Sequence, residues 1–479
     1  MEEKHTKLPL EPEDTFGSEE ATLEKELTEK VGVPVDYSTM TLLNFLKFFI
    51  FSAIGIWVFF IPITVGGSSS TPMVHMIGWV KSVLGPAKNW LVLITCVGLA
   101  ITYTLSKFKT SDALAKFHAK DGWFTGILYY LAAAFAIMIQ FQAGPEQILK
   151  TDVGPDAMSL AGSCLFTVTI AGWLVTFLIE FGVLEFLGTL MEPIMRRCFK
   201  IPGQSAVDAL SSFVAAPAVG VFITNRLYNE NIYTEKEACC ISTNFSVVSL
   251  GFFALLVSIT GTPEMYGNAV LCSLIIVFIL AAIVIRIPPL SRKKSVYRNG
   301  VVQTAEMAKP GRYTSDIFKK AFAAATTKAS KTKYSVFLTS IPDVLSFALK
   351  IVAFVQSIAV ISLYLSIYTP VFTWIGMPMI PYLHLVQMPD AAAIAPATLV
   401  GIAEIALPVM TIAGQSIAPM SIFFVIVLST VQIIFFTESA NAMMQADMGL
   451  KFGELVIIFL IRTVIAIPIV SMFAHLFYM

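Results

Sequence analysis

Charged residues are scarce in this sequence. Asp, Glu, Lys and Arg make up 13% of its 479 residues, whereas 56% are hydrophobic. A chain with so little charge is too apolar for a soluble enzyme, and its composition is typical of a polytopic membrane protein. The formal net charge is zero, so the total gives no attraction to nucleic acid, and the positions of the charges are what matter.

The sequence also lacks the motifs of several enzyme classes. It contains no HExxH or GxSxG motif, which argues against an intramembrane enzyme. Its six cysteines show neither metal-ligand spacing nor a disulfide framework, and we interpret them as small apolar packing residues. They are Cys96, Cys164, Cys198, Cys239, Cys240 and Cys272. We therefore expect no enzyme activity, no organic cofactor and no structural metal.

The first 40 residues have no basic start and no apolar core of the kind that a signal peptide has. They hold eleven acidic residues, from Glu2 to Asp36, against four lysines. This segment is predicted to be a retained acidic tail on the cytoplasmic side.

Long apolar stretches dominate the remainder. A membrane span needs about 20 mainly apolar residues, and the sequence contains eight or nine such stretches with an amphipathic surface stretch at 73–84. The spans are predicted at about 44–65, 90–105, 124–141, 157–183, 234–258, 265–287, 341–368, from 418 onward and at 452–476.

Basic residues cluster between particular spans. Four lysines lie between residues 106 and 123, three basic residues follow the fourth span, and twelve Lys and Arg residues lie from Arg286 to Lys333. The positive-inside rule places these loops in the cytoplasm. The prediction is a multi-pass protein of the cell (inner) membrane with a cytoplasmic N-terminus.

The stretch from 201 to 258 is apolar but interrupted. Pro202, Gly203, Pro217 and Gly220 divide it into short arms at about 203–215 and 218–227. At 1.5 Å per residue neither arm can cross a bilayer core of about 30 Å, so a re-entrant hairpin is predicted. Thr234 and the Glu three residues later form a capping box that begins the fifth span.

A second interrupted stretch, 388–416, follows a loop that has no Lys or Arg and should open to the outside. Pro155-Asp156 and Pro342-Asp343 lie 187 positions apart (342 − 155), and Ser242-Thr243 and Ser429-Thr430 have the same separation (429 − 242). The fourth span runs inward and the seventh outward. This order predicts an inverted repeat, with two re-entrant hairpins, as in many secondary transporters.

The predicted organisation has five parts. They are an acidic tail (1–40), a three-span scaffold (41–145), a first repeat (146–289), a basic cytoplasmic linker (290–334) and a second repeat (335–479).

The segments GQSAVDALSS and ITNRLYNENIYTEKEACCISTNFSVVSLGF closely resemble bacterial membrane proteins that carry a nucleoside-recognition Gate domain. The resemblance covers roughly residues 40–479 and is to the form in which two Gate-like halves are fused. Similar domains occur in concentrative nucleoside transporters, ferrous-iron transporters and spore-maturation proteins, so the resemblance does not establish a nucleoside substrate. It implies two opposed hairpins and two interrupted helices around a midplane site, which moves by an elevator-like or rocking motion. The absence of a P-loop argues against iron.

Candidate site residues follow from the cost of polar groups at membrane depth. Gln204 and Ser205 stand at a half-helix N-terminus, which suits anionic or hydrogen-bonding solutes; the alternative is simple helix capping. Asp208, one turn later, is either a ligand or lies at a watery mouth. In the fifth span Thr243, Asn244 and Ser246 are either ligands or ordinary interhelical hydrogen-bonding groups.

The second half adds carboxylates. Glu404 lies near the tip of the second hairpin, between apolar flanks, and an intramembrane carboxylate is a functional candidate by default. Thr437, Glu438, Ser439 and Asn441 are similar to the acidic and amide positions of the corresponding interrupted helix in nucleoside transporters, although Glu438 could also lie at the cytoplasmic end of its span.

Four other polar residues receive structural interpretations. Glu180 and Arg462, both costly in the membrane, are expected to pair with each other rather than to contact substrate. Lys350 can extend its amine to the interface. His384 is expected to be interfacial and not a proton relay.

These observations predict a secondary active transporter of a small polar organic solute, coupled to sodium or a proton. The resemblance implies a nucleoside or nucleobase. An amino acid or small peptide is the alternative, because the first hairpin offers only Phe213 and Phe222 for stacking on a base. The alternative of another class is a non-transporting membrane assembly protein of the spore-maturation type. Expected partners are the solute and the lipid bilayer, without nucleic acid, and a homo-oligomer stays open.

Overall fold

The computed structural model describes residues 35–61, 63–65, 68–108, 111–119, 121–214 and 216–478. Nearly all regular structure within these ranges is helical, which confirms the predicted all-α polytopic membrane fold. The predicted acidic tail lies outside the described residues except for 35–40. Seven helices of the described part are long and apolar enough to cross a membrane: Leu42–Phe59, Ala87–Lys107, Trp123–Phe141, Gly154–Ile179, Pro263–Val284, Val336–Tyr368 and Phe452–Tyr478.

The described residues of the N-terminal part form six α-helices and one small sheet. They are α1 (Leu42–Phe60), β1 (Ile63–Val65), β2 (Ser68–Ser70), α2 (Pro72–Leu84), α3 (Ala87–Lys107), α4 (Asp112–Phe117), α5 (Trp123–Phe141) and α6 (Glu146–Leu149). The first span was predicted to reach residue 65, which is wrong because α1 ends at Phe60 and an antiparallel strand pair follows. The β-branched side chains of β1 favour an extended backbone over a helix.

The first repeat follows. Its helices are α7 (Gly154–Leu174), α8 (Thr176–Ile179), α9 (Val183–Phe199), α10 (Ser205–Val214), α11 (Pro217–Asn229), α12 (Glu235–Phe245), α13 (Leu250–Ile259) and α14 (Tyr266–Val284). The capping box of Thr234 and Glu237 begins α12 as predicted. Proline at the first position of α11 fits because that residue needs no N–H partner within the helix.

The linker and the second repeat contain ten further helices in the described residues. They are α15 (Ile317–Lys331), α16 (Val336–Thr339), α17 (Ile341–Tyr368), α18 (Val371–Gly376), α19 (Met379–Leu385), α20 (Ala391–Val400), α21 (Leu407–Ile412), α22 (Pro419–Gln432), α23 (Ser439–Gln445) and α24 (Phe452–Tyr478). The linker helix α15 packs against α9 and α1, with the ring centroids of Phe322 and Phe186 4.9 Å apart.

The two repeats match element by element. Helices α7 and α17 begin 187 positions apart (341 − 154), and α14 and α24 begin 186 positions apart (452 − 266). Trp173, near the end of α7, donates from Nε1 to the backbone O of Phe337 just before α17 (2.8 Å). The end of α7 therefore lies beside the start of α17, and these two packed helices run in opposite directions, as an inverted repeat requires.

Four irregular elements distinguish the repeats from simple helix bundles. The first hairpin is α10 with α11, and the second hairpin is α20 with α21. The first break, residues 246–249, separates α12 from α13, and the second break, residues 433–438, separates α22 from α23. The predicted fifth and eighth spans are therefore interrupted helices, as the resemblance implied.

Candidate functional site

The first hairpin holds the first break in place. Ser212 of α10 donates its hydroxyl hydrogen to the backbone O of Phe245 (2.7 Å) and accepts from the backbone N of Val247 (3.2 Å). One side chain thus satisfies a carbonyl and an N–H that an interrupted helix leaves free. Ser246, a predicted site residue, is buried in this break.

A glycine lets the second arm of the hairpin approach the same place. A Cβ atom at Gly220 of α11 would lie 2.7 Å from the Cβ of Ser212 and 3.5 Å from the Oγ of Ser246. The first distance is shorter than atoms tolerate, so a larger residue would have to separate the two arms.

The second break is attached to the tip of the second hairpin through backbone hydrogen bonds. Phe436 donates from its N to the O of Ile402 (2.8 Å), and Thr437 donates from its N to the O of Ala403 (3.2 Å). In each repeat, therefore, residues near the tip of the hairpin form hydrogen bonds to the break in the interrupted helix.

Two predicted site residues stabilise the second break from within. Ser439 donates its hydroxyl hydrogen to the O of Ile433 (2.5 Å) and accepts from the N of Phe435 (3.0 Å). Asn441 donates from Nδ2 to the O of Phe436. Ile433 has a φ of 65°, which a β-branched residue rarely adopts, so the chain leaves α22 in a strained conformation.

The two predicted carboxylates meet at these irregular segments. Glu404, between the arms of the second hairpin, accepts from the hydroxyl of Thr437 and from the N of Ala406 (3.3 Å). Glu438 of the second break accepts at Oε1 from the N of Ala218, at the start of α11 (3.1 Å). A carboxylate at a helix N-terminus is stabilised by the free N–H groups and the helix dipole. Glu438 thereby connects the second repeat to the tip of the first hairpin.

The expected pairing of Glu180 with Arg462 is wrong. Arg462, halfway along α24, donates from Nη1 to the Oδ1 of Asn244 (2.7 Å) and from Nε to the O of Val431 (2.5 Å). These two acceptors belong to α12 and α22, immediately before the two breaks. Arg462 therefore belongs to the same region as the predicted site residues, although sequence reasoning had assigned it a structural role.

Glu180 lies instead in an ion-pair cluster at the open end of the first hairpin. It pairs with Arg226 of α11 and lies 3.6 Å from the Nζ of Lys328 in α15. Glu230 pairs with the same two cations, at 3.2 Å and 3.1 Å. The pairing differs from the expected one because Glu180 follows α8 at this end of the fold, whereas Arg462 is at the middle of its span.

Three predicted site residues lie away from the hairpin tips. Ser205, at the start of α10, donates to the O of Pro202 (2.5 Å), and Asp208 accepts from the hydroxyls of Thr224 (3.0 Å) and Tyr233 (3.2 Å). The half-helix N-terminus that reaches the second break belongs to α11, because α10 starts at the open end of the hairpin. The substrate role of these residues stays a prediction.

Gln204 faces a different space. It lines a cavity of about 440 Å³ that the linker residues Arg312 and Lys320 also line. Its amide lies against α9, since a Cβ at Gly188 would be 2.7 Å from the Nε2 of Gln204. Gln204 is thus placed at the interface between the first hairpin and the linker.

The remaining predicted residues of the first interrupted helix bond within their own element. Thr243 donates its hydroxyl hydrogen to the O of Cys239 (2.7 Å), and Asn244 donates from Nδ2 to the O of Cys240 (2.9 Å). A bond to another element is made by the Oδ1 of Asn244, which accepts from Arg462.

Sequence reasoning missed Gln432, which ends α22 and is buried. Its Nε2 donates to the O of Thr398 (2.7 Å) and to the Oγ1 of Thr463 (2.8 Å). The signal that could have found it is its position two residues after the matched Ser429-Thr430 pair, where a long amide interrupts an apolar run.

Lys350 and His384 lie outside the site. Lys350 of α17 reaches Asp121 in the lysine-rich loop (3.0 Å), and His118 also bonds that carboxylate (2.6 Å). Burial alone would raise the pKa of Asp121, but the bonded His118 and the charge of Lys350 hold it below its usual value. His384 is exposed on α19, as expected for an interfacial residue.

A cavity of about 800 Å³ approaches the site from the lysine-rich side. It is lined by residues of α4, α11, α16, α17 and the end of α23, among them Phe222, Asn225, Phe347, Lys350 and Gln445. Phe222 lies four residues after Ala218 in α11, which places the inner end of the cavity about 6 Å along the helix from the bond to Glu438.

Comparisons with known proteins place this geometry in context. Residues 163–263, which include the first hairpin and the first break, match the family described as Gate, nucleoside recognition. An uncharacterised protein of Alkalihalophilus pseudofirmus is 32% identical over 448 residues, which cover 92% of this chain and 96% of that protein. Sporulation integral membrane protein YlbJ of Bacillus subtilis is 34% identical over 85 residues, 16% of this chain and 21% of that protein. No solved structure matches.

Proposed function

This chain belongs to the Gate family of multi-pass membrane proteins, whose family description is nucleoside recognition. From this family membership, we propose that it is a secondary active transporter of a small polar organic solute. The protein would lie in the cell membrane with its N-terminus and basic linker in the cytoplasm. The fused two-Gate organisation is part of this proposal.

One observation carries the proposal: irregular backbone from both repeats meets at two carboxylates. Glu438 of the second break bonds the tip of the first hairpin, and Glu404 of the second hairpin bonds Thr437 of the second break. Broken backbone at membrane depth is tolerated only where it is buried in protein or lines a water-filled cavity. In secondary transporters such half-helix ends from two repeats form the binding site.

The cavity of about 800 Å³ supports the proposal by supplying a route. Its size falls within the range of about 300–1,000 Å³ that small-molecule sites occupy. It is open on the side that the lysine-rich loop and linker assign to the cytoplasm, so this conformation corresponds to access from within the cell.

Coupling follows from the charge of the site. Two carboxylates that move through the membrane with the hairpins are costly unless a cation neutralises them. A proton or a sodium ion bound at Glu404 or Glu438 would lower that cost and allow the loaded core to move.

The first experiment is a thermal-stability screen of the purified full-length protein against nucleosides, nucleobases, amino acids and dipeptides, with and without sodium and at two pH values. A ligand that binds only the folded protein raises stability by RT ln(1 + [L]/Kd). Uptake of each hit into proteoliposomes then tests transport. Glu404→Gln and Glu438→Gln are expected to abolish gradient-driven uptake, and Glu264→Gln, an exposed carboxylate on a distant turn, is the matched control. Unchanged uptake in both site variants would refute the coupling role.

A second function is favoured by the similarity of 85 residues to a sporulation integral membrane protein. In that case the chain would act as a non-transporting membrane component in an assembly. No response across the whole screen, together with a phenotype that appears only when a partner gene is deleted as well, would support this second function.

A further inference from the structure

The second break is surrounded by polar atoms that have no partner among the described residues. They are the Nη2 of Arg462, the Oε1 of Gln432 and the Oδ1 of Asn441. The three side chains are 0%, 1% and 0% exposed, so water does not satisfy these atoms from the surface. Buried polar groups are nearly always hydrogen-bonded, and a cluster of exceptions in one place calls for an explanation.

Arg462 is the most unusual of the three because it is charged. Within the described residues no carboxylate lies at ion-pair distance from it, and its two bonds go to an amide oxygen and a backbone carbonyl. By contrast, Arg196, which is also buried, pairs with Glu192 (2.8 Å) and with Glu237. A fully buried guanidinium without an anion is costly, and its remaining donor suits a carboxylate.

Acceptors lie on the same break. Glu438 and Asn441 belong to the second break and to the helix that follows it, and Glu404 contacts the break through Thr437. The oxygens of Gln432 and Asn441 have no donor among the described residues, and the two carboxylates keep lone pairs beyond those that accept from Ala218, Ala406 and Thr437. An ammonium group has three donors and no acceptor, so it matches these acceptors.

Resting on the proposed transport function, we propose that the solute is a zwitterion, an amino acid or a short peptide, whose carboxylate pairs with Arg462 and whose ammonium binds the oxygens around Glu438. A nucleoside has no carboxylate and would leave the guanidinium without an anion.

The net charge of the site also predicts how many coupling cations bind with the solute. Two carboxylates and one guanidinium leave one negative charge, and a zwitterion adds none. One bound proton or one sodium ion therefore makes the loaded site neutral.

The experiment uses the purified full-length protein and a thermal-stability screen of the twenty amino acids and glycylglycine, with uridine and adenosine as comparison ligands. At least one zwitterion is expected to raise the unfolding midpoint, whereas the nucleosides do not. For each hit, the carboxamide analogue without the carboxylate and the N-acetyl analogue without the ammonium are expected to bind at least tenfold more weakly, because each loses one charged contact.

Arg462→Gln separates ligand binding from a structural role. Gln keeps an NH₂ donor and removes the charge, so the ligand-free midpoint is expected to stay the same or rise, while the response to the zwitterion disappears. Arg286→Gln is the control, because the described residues place no carboxylate at ion-pair distance from Arg286 either, and it donates to the carbonyls of Ala282 and Cys198. It should leave the ligand response unchanged.

Three outcomes would overturn the inference. Equal stabilisation of the wild type and Arg462→Gln by a nucleoside would refute the substrate class and leave transport intact. A lower ligand-free midpoint in Arg462→Gln, with the zwitterion response retained, would show that Arg462 only stabilises the contact between α12 and α22 and does not bind the ligand. No response to any ligand, with no uptake of any in proteoliposomes, would refute the inference and the proposed function together.

Discussion

The first break, at residues 246–249, and the second break, at residues 433–438, occupy equivalent positions in the two repeats but differ in chemistry. The hydroxyl of Ser212 satisfies the backbone of the first break from the neighbouring hairpin. The second break closes on itself through Ser439, and around it lie two carboxylates, a guanidinium and three polar atoms without partners in the described residues.

The difference indicates that the two breaks have different roles. The first break is a neutral joint that ties α12 and α13 to the first hairpin. The second break concentrates charge, which in our proposal binds a solute and a coupling cation, and Glu438 bonds the tip of the first hairpin. The repeat thus supplies two similar scaffolds, and a few polar side chains give only one of them a charged site.

The hairpins differ in the opposite sense at their open ends, where the first hairpin carries the charges. The first hairpin is anchored by the cluster of Glu180, Arg226, Glu230 and Lys328. The second hairpin is anchored by Asp390, which accepts from the N of Ala418 (2.8 Å). The described residues place no ion pair at that end.

The largest effects are expected from alanine substitutions at two glycines, one near each break, where a Cβ would come too close to a neighbouring side chain. Gly220→Ala places a Cβ 2.7 Å from the short, rigid side chain of Ser212, so we expect a loss of about 2–3 kcal/mol in the free energy of unfolding. Gly401→Ala places a Cβ 2.5 Å from the Oε1 of Gln432, the far end of a long side chain that can change rotamer. It should cost less stability but displace Gln432 and reduce ligand binding. Denaturation midpoints and the ligand screen measure both, and equal stability losses would contradict the distinction.

The role of the first break as a neutral joint can be tested at one hydroxyl. Ser212→Ala leaves the N of Val247 and the O of Phe245 without their partner, and we expect a loss of about 1–3 kcal/mol in the free energy of unfolding. Ser211→Ala is the control, because the buried Oγ of Ser211 has no partner in the described residues and its removal should be neutral or slightly stabilising. Similar denaturation midpoints for Ser212→Ala and Ser211→Ala would contradict the stabilising role of the Ser212 hydroxyl at the first break.

A pH-dependent prediction concerns Glu185 of α9, beside the cluster at the first hairpin. Burial raises the pKa of Glu185 to about 7 from an ordinary value of 4.5. The folded protein then binds more protons than the unfolded chain between these values, so this group lowers stability as the pH rises through that window. Glu185→Gln is expected to raise the melting temperature by a few degrees at about pH 8 and to have little effect at about pH 4.5. A pH-independent effect would show that the carboxylate is not buried uncharged.

The smallest effect is expected for the anchor of the first hairpin. Lys328→Met removes a cation shared by Glu230 and Glu180 and should cost about 1 kcal/mol, since the cluster is partly exposed. Burial opposes both charges, but the charges of Lys328 and Arg226 lower the pKa of Glu230, and the carboxylates of Glu230 and its neighbours raise the pKa of Lys328.

The sign of the pH dependence follows. The contribution of Glu230 is present above its ordinary pKa of 4.5 and lost as the pH falls through its lower folded value. That of Lys328 is present below 10.5 and lost as the pH rises through its higher folded value. Lys328 also lowers the pKa of Glu185, so the test is made in a Glu185→Gln background, where the difference between Lys328→Met and Lys328 should be constant from about pH 5 to about pH 9. A difference that changes sharply within this range would disprove the assignment.

The fold could be predicted in large part from the sequence because its signals are local. The predicted arms at 203–215 and 218–227 correspond to Ser205–Val214 and Pro217–Asn229, since Pro and Gly stop helices wherever they pack. The position of Glu404 near the hairpin tip was predicted for the same reason. The strand pair after α1 was missed because an apolar run with β-branched residues reads equally well as the end of a span.

The site was predicted only in its composition. Glu404, Thr437 and Glu438 were identified as candidates and lie together, whereas Gln204, Ser205 and Asp208 were identified on the same grounds and lie at the open end of the hairpin. The cost of a polar group in the membrane marks a residue as requiring a partner. It does not tell which residue that partner is.

The sequence by itself determined which segments are apolar helices, where those helices break, that two halves repeat with a spacing of 187 positions, and which polar residues interrupt the apolar runs. Only the tertiary structure decided which of them meet. Glu438 bonds an N–H 220 positions away, and Arg462 bonds an amide 218 positions away. Helix breaks depend on the conformations of neighbouring residues, but contacts across such separations exist only when the two repeats pack against each other.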